Sequence, residues 1–192
     1  VIDIGEQHND KFSKYQDKVL LIWEIVDEFV PVEEDGKTVD KPRWLSKEYA
    51  SSADPKSNLT KAVMAWRNIS DPTALEDYDI TQLLGTGCQL QVAVKTTKDG
   101  VHTYNDIGAV VGLPKGIKTD KPISETLLYS LEAPDPEVFD KIPGWIQDKI
   151  RASTQHTQQS ANSQPLDIPT DEEGRVVDSE TGEILDDEEI PF

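Results

Sequence analysis

Two sets of side chains have types and spacing suited to binding chemistry. The first mixes rings with cations: Arg43, Trp44, Lys47 and Tyr49, and then Lys95, Lys98, His102 and Tyr104. Rings that stack on flat π faces, set beside cations that meet phosphates, are what an extended nucleic-acid strand needs, provided that they line one concave sheet face. The second is the C-terminal "DDEEIPF": Asp186, Asp187, Glu188 and Glu189, then Ile190, Pro191 and Phe192. Phe192 can enter an apolar pocket while its α-carboxylate pairs with an Arg or Lys at the rim. The four acids steer the arm to a basic surface, and Pro191 lowers the cost of ordering it.

Catalytic patterns are missing. His8, His102 and His156 lie far apart, and with Cys88 as the single cysteine no metal-ligand spacing exists. "GTGCQL" contains G-x-G but lacks the third Gly and follows a helical stretch instead of a strand, so it reads as a turn. There is no P-loop and no G-x-S-x-G. The expectation is a binding protein, not an enzyme, with no cofactor and no metal.

The 192 residues, 36% of them apolar, suffice for one ordinary domain with extensions. Acids outnumber Lys and Arg by 37 to 19. Residues 151–192 hold 11 acids and two arginines, so this short piece carries the same net −9 as the first 150 residues. Such acidity argues against nonspecific duplex or anionic-membrane binding, which needs clustered cations. One cysteine excludes an internal disulfide and fits a reducing compartment. The longest apolar run, "VLLIW", is too short to span a bilayer, and "VIDIGEQHND" is no leader. A soluble cytoplasmic protein without membrane contact is expected; no segment specifies an oligomeric state.

The elements expected to position these residues are mostly strands. "VIDIG" reads as the end of one, "KVLLIWEIVDEF" as a long second and "KPRWLSKEYAS" as a third. "GCQLQVAVKTT" and "VHTYNDIGAVVGL" flank Asp99-Gly100 as a β-hairpin, with Cys88, Leu90, Val92 and Val94 on a core face. Between the third and fourth strands "SNLTKAVMAWR" is a helix capped by Ser57 or Asn58, and "DITQLLG" a second short one ending at Gly85. Five strands with a helix between the third and fourth is the order of an OB-fold barrel. Residues 1–133 form this mainly β domain. Residues 134–152 add a helical segment whose Ile142, Trp145, Ile146 and Ile150 pack on it; 153–185 form a disordered linker and 186–192 the acidic tip. Trp23 and Trp66 belong to the core, whereas Trp44 and Tyr49 fall on opposite faces of an ideal strand and share a groove only if a bulge intervenes.

"DDEEIPF" closely resembles the C-terminal tip of bacterial single-stranded DNA-binding proteins, departing from it by two glutamates where that tip is mostly aspartate. "WLSKEYASSADPKSNLTKAVMAWR", "YDITQLLGTGCQLQVAVKTTKDGVHTYNDIGAVVGLPKG" and "IPGWIQDKI" resemble a family of phage and prophage single-stranded DNA-binding or replication-associated proteins with an OB-like core, over roughly residues 15–152. The resemblance implies sequence-independent binding of single-stranded DNA in phage-type replication and recombination, in the cytoplasm of a bacterial host. The tip would recruit replication, recombination and repair enzymes, and can fold back on the DNA groove. The alternative is an acidic adaptor or decoy that binds tip receptors without touching DNA. Convergence of Arg43, Lys47, Lys95 and Lys98 on one face separates the two. A nuclease is a third reading, resting only on abundant carboxylates.

Overall fold

The computed structural model describes residues 1–9, 13–34, 36–75 and 77–155. The expected linker 153–185 does not begin at Ser153, which is buried and donates its hydroxyl to the Ile150 carbonyl; residues 156–185 and the tip residues 186–192 lie outside the described residues. The protein is mainly β. Strands β1 (Ile2–Asn9), β2 (Lys14–Glu34) and β3 (Lys37–Ala50) form an antiparallel sheet in that order, and β4 (Cys88–Thr96) pairs with β5 (Thr103–Gly112) in a second. Among the described residues no ladder joins the two sheets into the closed five-stranded barrel that the strand order suggested. The sheets meet where β5 approaches β3: the Lys47 ammonium donates to the Ile107 carbonyl.

"VLLIW" explains the arrangement. Val19, Leu21 and Trp23 point to one side of β2 and join Tyr49, Ile107, Val110 and helix α1 (Asn58–Arg67) in one apolar cluster. Leu20 and Ile22 point to the other side, against Ile2, Ile4, Tyr129 and Leu131 and against α3 (Gly144–Arg151), which follows the short α2 (Pro136–Lys141). A strand covered on both faces loses the apolar–polar alternation, which is why this run is continuous.

Local signals act as their chemistry requires. The Ser57 hydroxyl accepts from the Thr60 N–H at the start of α1, and Asn68 ends it in the left-handed region. The short helix at Ile80–Leu83 is a 3-10 turn capped by Asp79, followed by Gly85 with φ of 68°. Ile142, Ile146 and Ile150 are buried as expected, but Trp145 leaves their stripe and is 51% exposed. The core face of β4 also ends early. Cys88 and Leu90 pack against the cluster, whereas Val92, though opposite the buried Ile107, is 43% exposed at the edge of a cleft, and Val94, past the core, is 71% exposed.

A bulge at Asp3/Gly5 lets β1 turn towards α3. The Asp3 carboxylate accepts from the N–H groups of Gly5 and Leu131, and the Gln7 amide donates to the Lys149 carbonyl. Gly5 has φ of 66°, and a Cβ there would stand 2.5 Å from Leu131 Cδ1 and 2.9 Å from Ser153 Cβ. Gly5→Ala is therefore expected to cost roughly 1–3 kcal/mol, from left-handed strain and the clash together. A urea midpoint equal to that of the parent chain would show that the bulge relaxes freely.

Glu48 ties the same region together, accepting from Lys149 at 2.6 Å and Lys18 at 3.2 Å. Burial opposes its charge, but Lys149 and then Lys18 outweigh this and hold its pKa below the ordinary 4.5. A carboxyl whose folded pKa is depressed adds stability above its unfolded value and loses it as pH falls through the folded value. The steepness of acid unfolding below about pH 4.5 should thus lessen in Glu48→Gln. An unchanged pH profile in a stability titration would assign the acid sensitivity to other carboxylates.

Candidate nucleic-acid interface

The structure divides the anticipated ring-and-cation set. Pairing from Lys18–Ala50 to Glu24–Trp44 is unbroken, so no bulge brings Trp44 and Tyr49 to one face. Tyr49 is not an exposed platform: it is 5% exposed, inside the cluster with Val19 and Leu21. Burial, with the Asp106 carboxylate and Cys88 adding to it, pushes its phenol up to about 12. Trp44 stands on the opposite face, 37% exposed, its indole N–H donating to the Ser124 hydroxyl at 3.1 Å.

The β4–β5 hairpin brings the remaining candidates together. Gly100, with φ of 75°, closes its turn, and the Thr97 N–H donates to the His102 carbonyl. This sets Lys95 opposite Tyr104. Tyr104 is 49% exposed, and His102 and Lys98 at the tip are also open to solvent. Asp106 lies diagonally across from Lys95 and pairs with it. The hydrogen bond from Lys95 holds the Asp106 carboxyl below its ordinary range against some burial, and the Lys47 charge from β3 acts in the same direction. Lys95 thus pairs with the Asp106 carboxylate while Lys47 adds its charge from β3, and Lys47 also lies 5.9 Å over the Tyr49 ring. Arg43 sits apart, 3.8 Å from Glu28. Lys47 and Lys95 therefore act on one carboxylate, Lys98 lies at the hairpin tip and Arg43 stands with Glu28 instead.

Sequence reasoning missed Asp106, although the hairpin turn fixes the register that places it beside Lys95. It also missed a cleft of about 500 Å³ between β2, the start of β4 and the segment 113–127. Trp23, Trp44 and Trp66 line it with Leu83, Leu90 and Leu127. The Trp66 N–H donates to the Gly87 carbonyl at 3.1 Å. Among the described residues the buried Trp23 Nε1 has no hydrogen-bond acceptor; the Cys88 thiol feels it, but not in bonding geometry. Burial pushes that thiol up to about 12, so Cys88 stays protonated and makes a poor nucleophile. Among the described residues no three His, Cys, Asp or Glu side chains cluster as metal ligands do, and no helix is long and apolar enough to cross a membrane. No protein-family model, curated protein or solved structure matches the chain.

A strap closes one side of the cleft. The Glu24 carboxylate accepts from the N–H groups of Ile123 at 2.6 Å and Ser124 at 2.9 Å. Burial opposes its ionisation, but the Ser124 and Ile123 donors outweigh this and lower its pKa. Segment 113–127 has no periodic pattern, and so gives no sequence sign of this latch. In Glu24→Ala the two donors lose their acceptor, worth about 1 kcal/mol at a partly exposed site, or roughly a fivefold rise in opening. Trypsin should then cut after Lys115 or Lys118 several-fold faster. Unchanged cleavage would mean that the strap is held elsewhere.

Proposed function

We propose that the protein binds single-stranded DNA without sequence preference, through the β4–β5 hairpin and the adjoining part of β3, and that it serves phage-type replication or recombination. The observation that carries this reading is the exposed Tyr104 ring beside Lys95, with the Lys47 ammonium of the other sheet close by at the Ile107 carbonyl. One ring for base stacking and two cations for phosphates are the minimum for such a contact, and Lys98 and His102 extend it along the hairpin. The element order, three strands, a helix and two strands, supports an OB-like ancestry for an open form of that barrel. In this reading Asp106 holds the lysines in place until phosphate oxygens replace it. Recruitment of repair and replication enzymes falls to Asp186–Phe192, on the strength of its sequence.

A second reading is kept because a specific observation favours it. Lys95 is paired with Asp106, Arg43 faces Glu28 and Lys47 is bonded to a carbonyl, so an acidic adaptor that binds tip receptors and never meets DNA is also consistent with these residues.

Titration of the full chain with an oligo-dT strand, against a duplex control, separates the two. Tyr104→Ala should weaken binding to the single strand by roughly tenfold, about the value of one stacked base. Asp106→Asn should strengthen it and steepen its salt dependence, by about 0.7 in the log–log slope for each added phosphate contact. No binding by the parent chain at low salt, or equal affinity for the duplex, would favour the adaptor.

A further inference from the structure

The tryptophan-lined cleft lies between two strand edges whose outward backbone is unpaired. β1 leaves β2 at the Ile2–Leu20 pair, so Leu21–Val26 has no strand on that side; β4 pairs with β5 alone. Residues 21–26 and 88–90, with Val92, line the cleft. Among the described residues neither stretch makes a backbone hydrogen bond outside its own ladder. N–H and C=O groups without a ladder partner over an apolar floor form a template for strand addition.

Charge narrows the occupant. The charged side chains lining the cleft are Glu24, Asp120 and Glu125, and no Lys or Arg is among them. Glu24 is taken up by the strap and Glu125 holds Lys141 at 3.0 Å, which leaves Asp120 at the mouth. The Val1 amine at the cleft is taken up by the Leu127 carbonyl at 2.8 Å, and burial lowers its pKa to about 6. The side-chain charge that a phosphodiester, or the chain's own Asp186–Glu189 run, would meet here is therefore carboxylate. We propose that the cleft accepts an extended segment of a partner protein, apolar on one face and carrying Lys or Arg, which adds as a strand to the open edge of β4. This docking surface is separate from the hairpin surface, and it stands whether or not the hairpin binds DNA.

The test uses the full chain and three blocked seven-residue peptides. One alternates Lys and Val; one alternates Glu and Val; the third is the Lys-Val peptide with a central proline, which cannot donate to a ladder. Binding is followed by tryptophan fluorescence and amide hydrogen exchange. The Lys-Val peptide should bind saturably and slow exchange at Leu21–Val26 and Cys88–Val92, with the proline and Glu-Val peptides about tenfold weaker. Replacing both Asp120 and Glu125 by Lys, at exposed positions that should leave folding intact, should weaken the Lys-Val peptide about fivefold. Equal binding by the proline peptide, absence of binding, or protection confined to other segments would overturn the proposal. So would a dimer in which these amides are already protected without peptide, which would make a second copy the occupant.

Discussion

The two-sided burial of "VLLIW" in β2 is the constraint on which the rest depends. A slip of one residue against β3 would exchange Val19, Leu21 and Trp23 with Leu20 and Ile22 between two clusters of different shape. Trp23, packed at 5.9 Å from Trp66, has no counterpart on the α3 side. The register is therefore strongly specified, and everything beyond the run inherits it. Glu24 and Trp44 emerge as a facing pair where β2 leaves the core, ready to hold the strap, and Lys47 falls where β5 crosses β3. A sheet fixed at its centre places its functional residues at its margins.

Those margins show how a strongly acidic protein can still present cations. Lys95, Lys141 and Lys149 are each held by a carboxylate, and Lys95 and Lys47 act on the same one. Exposed pairs of this kind add little stability. They do restrict where the ammonium groups point, so less side-chain entropy remains to be lost when another anion takes the carboxylate's place. The cleft has the opposite character, apolar at its floor and carboxylate at its rim, so the two proposed surfaces would take ligands of opposite charge.

Local features were well legible in the sequence. The Ser57 cap, the Asp99-Gly100 turn, the burial of Trp23 and Trp66 and the isoleucine stripe of α3 each follow from short-range patterns. Strand parity also separated Trp44 from Tyr49, and the unbroken ladder bears this out. What was not legible is where the core stops. Val92 and Val94 carry the same alternation as Leu90, yet only the placement of the other elements decides that one lines an open cleft and the other stands past the core. Trp145 fails for a related reason: at one residue before Ile146 its ring lies off the buried line, though its size suggested otherwise. The strap's latch depends on one carboxylate meeting two backbone donors a hundred residues away, which no local pattern encodes.

The interruption in β2 has a consequence of its own. Between the Glu24–Trp44 and Phe29–Pro42 pairs four residues of β2 face only Arg43, and Asp27 takes a φ of 61°. The ribbon beyond it, Phe29–Glu34 against Lys37–Pro42, makes its ladder bonds without either apolar cluster beneath it. Such a ribbon opens and closes on its own, with a free energy well below that of the domain. Its length and composition are then nearly free of the demands of the fold. Lengthening, shortening or recharging this arm should therefore leave the core undisturbed, so that its loop end can be changed independently of the fold.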